Sequence, residues 1–255
     1  MSEHKFSIEA KKVNKRYKGK GLATDALTDF NLNIPKGSIY GLLGPNGAGK
    51  STFINILGGL VKKNSGEVYI CGINIDTDAK ASRKKIGIVP QELNIDPFFT
   101  PLELLELQAG LYGVTKKNRK SEEILSNVGL LDQKNAYART LSGGMRRRLL
   151  VAKALVHDPE IIILDEPTAG VDVNLRNSLW AYIKRLNEKG TTICLTTHYL
   201  EEAEILCDYI TIINKGRVIK DDTKNNLLKL IGKKTVSFIL ENKITEIPSS
   251  LTKFG

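Results

Sequence analysis

The most informative part of this sequence is Gly44-Pro45-Asn46-Gly47-Ala48-Gly49-Lys50-Ser51-Thr52, which has the form G-x-x-x-x-G-K-[ST]. It lies between an apolar run, 39–43, and a second apolar run that suits a helix, 53–60. A strand that leads through a glycine-rich turn into a helix points several backbone N–H groups at one place, where the helix dipole also favours negative charge. The stretch therefore predicts a cradle for the phosphates of a nucleoside triphosphate, in which Lys50 reaches the β- and γ-phosphates and Ser51 binds Mg²⁺. The alternative is an ordinary glycine-rich turn between a strand and a helix.

The composition is that of a globular protein that can bury a full core. The 255 residues suffice for one α/β domain or for one domain with a smaller subdomain, and the apolar and charged fractions, 41% and 26%, are ordinary. No apolar run approaches the ~18–20 residues that span a bilayer. The N-terminus, Met-Ser-Glu-His-Lys-Phe, lacks the apolar core of a secretory signal. Any role at a membrane is therefore expected to depend on a partner protein.

The formal net charge is +10, but the lysines are spread along the sequence, for example as Lys62-Lys63 and Lys116-Lys117. Because no dense basic block interleaved with aromatic residues is present, most of them are expected on a solvated surface, and no nucleic acid partner is expected. An anionic partner surface is the alternative. The three cysteines, Cys71, Cys194 and Cys207, lack the spacing of metal ligands and predict reduced core residues of a cytosolic protein.

Outside the glycine-rich stretch, the pattern of apolar residues predicts an α/β protein. Residues 6–17 alternate loosely and predict an edge strand, and further strands are expected at 27–34, 67–71 and 86–89. After residue 157, strands are expected at 161–164, 191–195 and 209–213, and helices from about 174 to 188 and from about 200. Such alternation is typical of crossover units and of a mostly parallel sheet.

Between the strands predicted up to residue 89 and those predicted from residue 161, the sequence predicts a helical insert. Thr100-Pro101-Leu102-Glu103 has the residues of a helix start, with a cap, a proline at the first position and a glutamate at the third. Three helix-like stretches follow, at about 101–112, 118–129 and 142–157, with no convincing strand between them. At the end of the chain, 235–240 is strand-like, and we interpret 236–255 as the start of a C-terminal accessory segment.

A pair of carboxylates, Asp165 and Glu166, follows the apolar run 161–164. In an open α/β sheet, ligands bind beyond the carboxyl ends of the strands, so this strand end is expected beside the phosphate loop. There Asp165 would hold Mg²⁺, directly or through water, and Glu166 would orient and polarise the attacking water. The alternative is an ordinary strand followed by an acidic cap. Together with the cradle, the pair predicts nucleotide hydrolysis.

A third motif, Leu141-Ser142-Gly143-Gly144-Met145, predicts a second helix end that binds an anion. Ser142 is a typical N-cap residue, and Gly143 and Gly144 expose backbone N–H groups at the start of the helix. A helix dipole acts only over its first turn, so this end needs a phosphate almost in contact. Because the cradle already holds the γ-phosphate of this chain's nucleotide, we expect the second helix end to cap a nucleotide bound by another copy.

In the order of these motifs, the chain resembles the nucleotide-binding subunits of ATP-binding-cassette (ABC) transporters, over about residues 5–235. Residues 44–52 match Walker A, 161–166 match Walker B with its catalytic glutamate, and 141–145 match the family signature, with Met145 where glutamine is commoner. The resemblance implies an α/β, P-loop NTPase (ABC ATPase) core with a mostly parallel sheet, an antiparallel β subdomain and an inserted α-helical subdomain at about 96–157. It also implies an ATPase that uses ATP and Mg²⁺.

Further residue roles are implied by the resemblance alone. Gln91 matches the Q-loop glutamine, which contacts Mg²⁺ or the attacking water, and His198 matches the switch histidine at the γ-phosphate. Tyr17 matches the aromatic residue on which adenine stacks, although a tyrosine at a strand end is otherwise more often a packing residue. Asp172 matches the D-loop aspartate, but Ala169-Gly170 departs from the usual Ser-Ala of that loop.

Two classes of function compete. In the first, ATP closes two copies, or one copy and a related ABC subunit, head to tail, and so drives transport through an integral membrane permease subunit. In the second, the chain is a soluble ABC ATPase that acts on nucleic acid, the ribosome or cluster assembly. Members of this kind that act in DNA repair or on chromosomes carry long coiled-coil or zinc-binding insertions, and translation-type members usually carry two cassettes; this sequence shows neither feature. We therefore expect a cytoplasmic subunit peripheral to the membrane, and the similarity of 169–172 and 197–203 to ABC-2 cassettes favours export.

Overall fold

The computed structural model describes residues 4–18, 23–168 and 173–230. Within these ranges the chain forms ten strands and eight α-helices, numbered here in chain order. The strands are β1 (Phe6–Tyr17), β2 (Thr24–Pro35), β3 (Ile39–Leu43), β4 (Ser65–Ile70), β5 (Ile73–Asn74), β6 (Ile86–Val89), β7 (Ile161–Asp165), β8 (Thr192–Thr197), β9 (Tyr209–Asn214) and β10 (Arg217–Thr223). The helices are α1 (Lys50–Leu57), α2 (Ala79–Lys84), α3 (Pro101–Leu111), α4 (Ser121–Asn127), α5 (Gly143–Leu155), α6 (Val173–Glu188), α7 (Leu200–Leu206) and α8 (Lys224–Leu230).

The larger sheet has six strands in the order β10-β9-β3-β8-β7-β6. All of its pairs are parallel except β9 with β10, which form an antiparallel hairpin. The predicted mostly parallel sheet is therefore confirmed. Every residue of β7 and β8 is buried, as expected for strands that are covered on both faces. Three of the six residues of β8 are threonines, so their hydroxyl groups need partners inside the protein.

The smaller sheet is antiparallel and has the order β2-β1-β4-β5. Strand β1 pairs with β2 on one side and with β4 on the other, so the prediction that residues 6–17 form an edge strand is wrong. Lys11, Lys12 and Arg16 are exposed although both hydrogen-bonding edges of the strand are occupied. Side chains point to the faces of a sheet and not to its edges, so exposed charged residues do not indicate an unpaired edge.

Helix α1 packs against both sheets. Phe53 of this helix contacts Phe30 of β2, with the ring centroids 4.8 Å apart, and Ile163 of β7 belongs to the same buried cluster. The helix that follows the glycine-rich stretch is thereby fixed relative to the carboxyl end of β7.

Helices α3, α4 and α5 share a hydrophobic cluster in which Leu105, Leu125 and Leu149, one from each helix, are buried. As predicted, α3 begins with a reciprocal cap. The hydroxyl of Thr100 accepts from the N–H of Glu103, and the Glu103 carboxylate accepts from the N–H of Thr100, which lowers the pKa of that carboxyl group. The three helices predicted at 101–112, 118–129 and 142–157 are confirmed, with shorter bounds.

Four short elements have no counterpart among those predicted: β5, α2, β10 and α8. The strand-like stretch at 235–240 lies outside the described residues. The cysteines are free thiols, with Cys194 and Cys207 buried and Cys71 half-buried, as expected of reduced core residues. Burial raises the pKa of Cys71 to about 11 and that of Cys194 to about 12, so both thiols stay protonated near neutral pH. None of the helices in the described ranges has the length and apolar character needed to cross a membrane.

Candidate functional site

The glycine-rich stretch joins β3 to α1, as predicted. The helix begins directly after Gly49, whose φ of 110° lies in a region that other residues rarely adopt. A Cβ atom at this position would also lie only 2.6 Å from the carbonyl oxygen of Ala26. Both the φ angle and this close backbone contact therefore require glycine at position 49. The tight turn lets the first N–H groups of α1, which have no acceptor within the helix, point at one place.

The side chain of Lys50 is folded over this loop. Its Nζ donates hydrogen bonds to the carbonyl oxygens of Gly44, at 2.7 Å, and of Pro45, at 3.2 Å. Only 5% of the residue is exposed. The ammonium group is therefore held inside the turn, where the phosphates are expected.

Glu166 lies at the centre of a group of side chains from four parts of the fold. Its Oε1 lies 3.6 Å from Nζ of Lys50 and 3.4 Å from Nδ1 of His198, and its Oε2 accepts a hydrogen bond of 3.2 Å from Nε2 of Gln91. Lys50 begins α1, and the other three residues follow β7, β8 and β6. Because these strands are parallel, their carboxyl ends meet at one edge of the sheet. The structure thus brings together the cradle lysine and all three residues predicted to be catalytic.

Thr196 is a buried residue of this site that was not predicted from the sequence. Its Oγ1 accepts a hydrogen bond of 3.0 Å from the N–H of Glu166 and donates one of 2.6 Å to Oδ1 of Asp165. The sequence signal that could have indicated Thr196 as a site residue is its position at the end of an apolar run, two residues before His198. Its pairing opposite Asp165 depends on the register of β7 and β8, which one sequence does not reveal.

The residues predicted to bind Mg²⁺ are Ser51, Gln91 and Asp165. Their hydroxyl, amide and carboxylate oxygens are hard donors of the kind that this ion prefers. In the ranges that the structure describes, no group of three or more His, Cys, Asp or Glu side chains could hold a metal ion. The set of Ser51, Gln91 and Asp165, with its single carboxylate, fits Mg²⁺, which usually binds through one or two carboxylates together with water and substrate phosphate oxygens.

The signature residues begin α5, as predicted. Ser142 is the N-cap, and its Oγ accepts a hydrogen bond of 3.2 Å from the N–H of Met145. Ser142 and Gly143 are exposed, and Gly144 is half-buried. Among the described residues, no hydrogen bond or ion pair joins these three to Lys50 or Glu166. Within the described part of one chain, the two predicted anion-binding helix ends are therefore not joined by a hydrogen bond or an ion pair.

Two further residues, Tyr17 and Asp172, are predicted to contact the nucleotide. Tyr17 ends β1 and is 40% exposed, with Nζ of Lys15 4.8 Å from its ring centroid. The ring is therefore not a buried packing residue, and a flat partner can stack on an exposed face. Asp172, with the rest of 169–172, lies outside the described residues.

Comparisons with known proteins agree on the family. The ABC transporter family matches residues 27–169. The chain is 39% identical over 241 residues to the linearmycin resistance ATP-binding protein LnrL of Bacillus subtilis, a match that covers 94% of this chain and 76% of that protein. It is 41% identical over 223 residues to the Nod factor export ATP-binding protein I of Cupriavidus pinatubonensis, covering 87% of this chain and 67% of that protein.

Solved structures show the same similarity. The ATP-binding cassette MJ0796, in a dimeric post-hydrolysis state bound to ADP and Pi, superposes with a TM-score of 0.77 at 33% identity, covering 85% of this chain and 98% of that one. The phosphate loop, the signature and the carboxylate pair all lie within the residues matched by the family. The chain belongs to the ABC transporter family, as one of its ATP-binding and ATP-hydrolysing cassettes.

Proposed function

We propose that this chain powers export through a separate integral membrane permease subunit, by Mg²⁺-dependent, head-to-tail closure of two cassettes around ATP. The observation that carries the proposal is that, among the described residues, no hydrogen bond or ion pair joins the two anion-binding helix ends. Lys50 and Glu166 lie in one cluster, while Ser142 is exposed at the start of α5 and caps its own helix. A second copy, or a related ABC subunit, would bring its Ser142 to the nucleotide held by Lys50.

The relatives support this direction and this assembly. One is named for Nod factor export and another for resistance to linearmycin, and a similar cassette has been solved as a dimer with ADP and Pi. Binding that favours only the closed dimer would supply the work of transport, since a ligand shifts an equilibrium by its difference in affinity for the two states. Hydrolysis would then reopen the dimer.

In the proposed hydrolysis, water attacks the γ-phosphorus, and the bond from that phosphorus to the bridging oxygen of ADP breaks. Glu166 orients the water and accepts its proton, and Gln91 holds the water or the metal ion. His198 contacts the γ-phosphate, and Lys50 balances charge on the β- and γ-phosphates. Tyr17 stacks on adenine, and Asp172 acts at the interface between the two copies.

Mg²⁺ supplies positive charge to the phosphate oxygens when it is bound. Ser51 and Asp165, together with Gln91, would hold it. The buried position of Asp165 keeps its carboxylate at the end of β7, and the exposed side chain of Ser51 lies in the first turn of α1.

We further propose that the permease docks on the 91–130 region, at the cytoplasmic face of the membrane. This region begins at Gln91, which hydrogen-bonds Glu166, and continues into α3, whose Leu107 and Leu111 are 50% and 75% exposed. Movement at such a contact would therefore reach the catalytic carboxylate. In this proposal the cassette spans about 5–235, with a helical subdomain at about 96–157. Crosslinks from the permease that fall only outside 91–130 would contradict the docking site.

The assembly is tested by mixing two inactive variants, Lys50→Ala and Ser142→Ala. Each heterodimer would contain one intact site, because Lys50 comes from one chain and Ser142 from the other, so turnover should reappear on mixing. The matched control mixes Lys50→Ala with the double variant Lys50→Ala/Ser142→Ala, which restores no site. A mixture as inactive as either variant alone would contradict head-to-tail closure.

A further inference from the structure

We infer that Thr196 is a positioning residue for ATP hydrolysis, because its hydroxyl group holds the turn that presents Asp165 and Glu166 to the nucleotide. The inference rests on the roles proposed for these two carboxylates. It adds a residue of β8 that has no assigned contact with ATP and acts through its hydrogen bonds to Asp165 and Glu166.

The hydroxyl group of Thr196 contacts both Asp165 and Glu166. Thr196 is 0% exposed and pairs with Asp165 in the parallel register of β7 and β8. Its Oγ1 donates its single proton to Oδ1 of Asp165, at 2.6 Å, and accepts from the backbone N–H of Glu166, at 3.0 Å. The hydroxyl therefore directs its single donor and one of its two acceptor sites at the two adjacent acidic residues.

The backbone of Glu166 adopts an unfavourable conformation. Its φ is 46°, in the left-handed region, which is unfavourable for a residue other than glycine. At such a turn the chain leaves the sheet, and the N–H of Glu166 bonds to a side-chain oxygen of Thr196. Without that acceptor, a buried N–H would lose its partner, and the strained turn would lose a contact that fixes it.

The turn also determines where the side chain of Glu166 points. Glu166 leaves β7 towards Nζ of Lys50 and Nδ1 of His198, at 3.6 Å and 3.4 Å from its Oε1. His198 lies two residues after Thr196, so a single stretch of chain both supplies the switch histidine and fixes the catalytic glutamate. A small error in the direction of Glu166 would misplace the attacking water.

The hydroxyl group is not needed to form the strand. Valine has nearly the same shape as threonine and suits a buried strand, and the neighbours of Thr196 in β8 include Ile193 and Leu195. A threonine in this environment must have its hydroxyl partnered, and both partners belong to the carboxylate turn.

The test compares Thr196→Val and Thr196→Ser with a second buried threonine of the same strand. Thr192, at the opposite end of β8, is 1% exposed, and its hydroxyl bonds Ser7 at 2.8 Å and the N–H of Gly37 at 2.9 Å. Thr192→Val therefore also removes a buried hydroxyl from β8, but far from the carboxylates. Similar losses of unfolding free energy are expected for Thr196→Val and Thr192→Val. A difference between their turnovers would therefore reflect the positioning of Asp165 and Glu166 and not a general loss of stability.

We expect Thr196→Val to lower kcat for ATP by about 10- to 100-fold, as for other groups that orient catalytic ligands. The KM for ATP and the Kd of a fluorescent ATP analogue measured without turnover should change less than about twofold, since the residue does not touch the cradle. The Mg²⁺ concentration for half-maximal activity should rise, because Asp165 loses a hydrogen bond. Thr196→Ser should restore turnover, and Thr192→Val should keep it.

Two outcomes would overturn the inference: wild-type kcat in Thr196→Val, or an equal loss of kcat in Thr192→Val. If Thr196→Val does not fold, Thr196→Cys and Thr196→Ser give the same comparison, because a thiol is a much weaker hydrogen-bonding group than a hydroxyl. Glu166→Gln, measured in parallel, separates the two proposals. Loss of turnover in Glu166→Gln with wild-type turnover in Thr196→Val refutes the role of Thr196 alone, whereas retained turnover in Glu166→Gln refutes the role of Glu166.

Discussion

Lys50 and Glu166 form an ion pair across the site, with Nζ of the lysine 3.6 Å from Oε1 of the glutamate and only 5% and 9% of the side chains exposed. Because both groups are shielded from water, their attraction is stronger than that of a surface pair at this distance. The same lysine is expected to bind the β- and γ-phosphates. Glu166 and the triphosphate therefore compete for one ammonium group.

Glu166→Gln should accordingly have two effects of opposite sign. Turnover should fall by at least about 100-fold, because the amide cannot accept a proton from water. Affinity for ATP should rise, because a negative charge near the phosphates is removed and Lys50 is released from its ion pair. Steady-state turnover and the Kd of a fluorescent ATP analogue measure both effects, and Glu201→Gln, an exposed glutamate of α7, is the control. Unchanged turnover would remove Glu166 from its proposed role.

Gly49→Ala and Gly47→Ala should differ in severity. Both glycines have positive φ, 110° and 78°, so alanine is strained at either position, by about 1–2 kcal/mol in the left-handed region. Only at Gly49 would the new Cβ also meet a backbone atom, 2.6 Å away, whereas Gly47 has nothing within 4 Å. Gly49→Ala should therefore lose more stability in urea and more affinity for ATP. Equal effects would show that strain alone, and not the contact with Ala26, requires Gly49.

Glu202→Ala should destabilise the link between α7 and the turn that follows Glu166. Glu202 is 3% exposed, and its Oε1 accepts hydrogen bonds from Oγ1 of Thr168 and, at 3.4 Å, from Nε1 of Trp180. Removing the acceptor leaves the buried hydroxyl of Thr168 and the half-buried indole N–H of Trp180 without it, at a cost of about 1–3 kcal/mol in the free energy of unfolding. Glu201→Ala, on the exposed face of α7, should change that free energy by no more than about 0.5 kcal/mol.

The measurement for Glu202→Ala is unfolding in urea followed by circular dichroism. The single tryptophan of the chain, Trp180, provides a second, local signal. Its emission should shift in Glu202→Ala and remain unchanged in Glu201→Ala. An unchanged midpoint and emission in Glu202→Ala would show that the carboxylate contributes nothing to this contact.

His157 should make the protein less stable in mild acid. Its ring stacks on Tyr112, with the centroids 3.7 Å apart, and its Nε2 lies 2.9 Å from the carbonyl oxygen of Ile86. Burial lowers the pKa of His157 below its ordinary value of 6.5, although the carbonyl of Ile86 opposes this shift. At a pH between the pKa of His157 in the folded protein and its ordinary value of 6.5 in the unfolded chain, the unfolded chain binds more protons than the folded protein. The free energy of unfolding therefore falls as the pH drops below about 6.5.

His157→Gln tests this dependence, because the amide can still donate to the carbonyl oxygen of Ile86 but does not titrate. The slope of unfolding free energy against pH, measured from pH 7.5 to 5, should be smaller in the variant than in the wild type. Equal slopes would show that other groups cause the acid sensitivity.

Much of the fold was predictable because local chemistry specifies it. The helix start at Thr100 depends on residues within one turn, and the phosphate loop depends on glycines that admit positive φ. The strands β7 and β8 were visible as apolar runs, and their carboxyl ends are where an open parallel sheet binds ligands. Gln91, Glu166 and His198 could therefore be placed near one another from the sequence and the family resemblance.

The position of β1 and the partners of buried polar groups could not be predicted in the same way. Whether β1 lies at an edge depends on its pairing with β4, and β4 follows the phosphate loop in the sequence whereas β1 precedes it. Likewise, the sequence alone indicates only that Thr196 is a strand residue. Its pairing with Asp165 depends on the register between β7 and β8.

The sequence by itself determined which chemical groups this protein carries: a phosphate loop with Lys50, an acidic strand end and a second anion-binding helix end. These depend on residue types that are close together in the chain. Only the tertiary structure decided that Lys50 and Glu166 share a buried ion pair, and that Thr196 holds the carboxylate turn. Those contacts join separate strands and helices, and their geometry follows from strand register and packing, which act between residues that are distant in sequence.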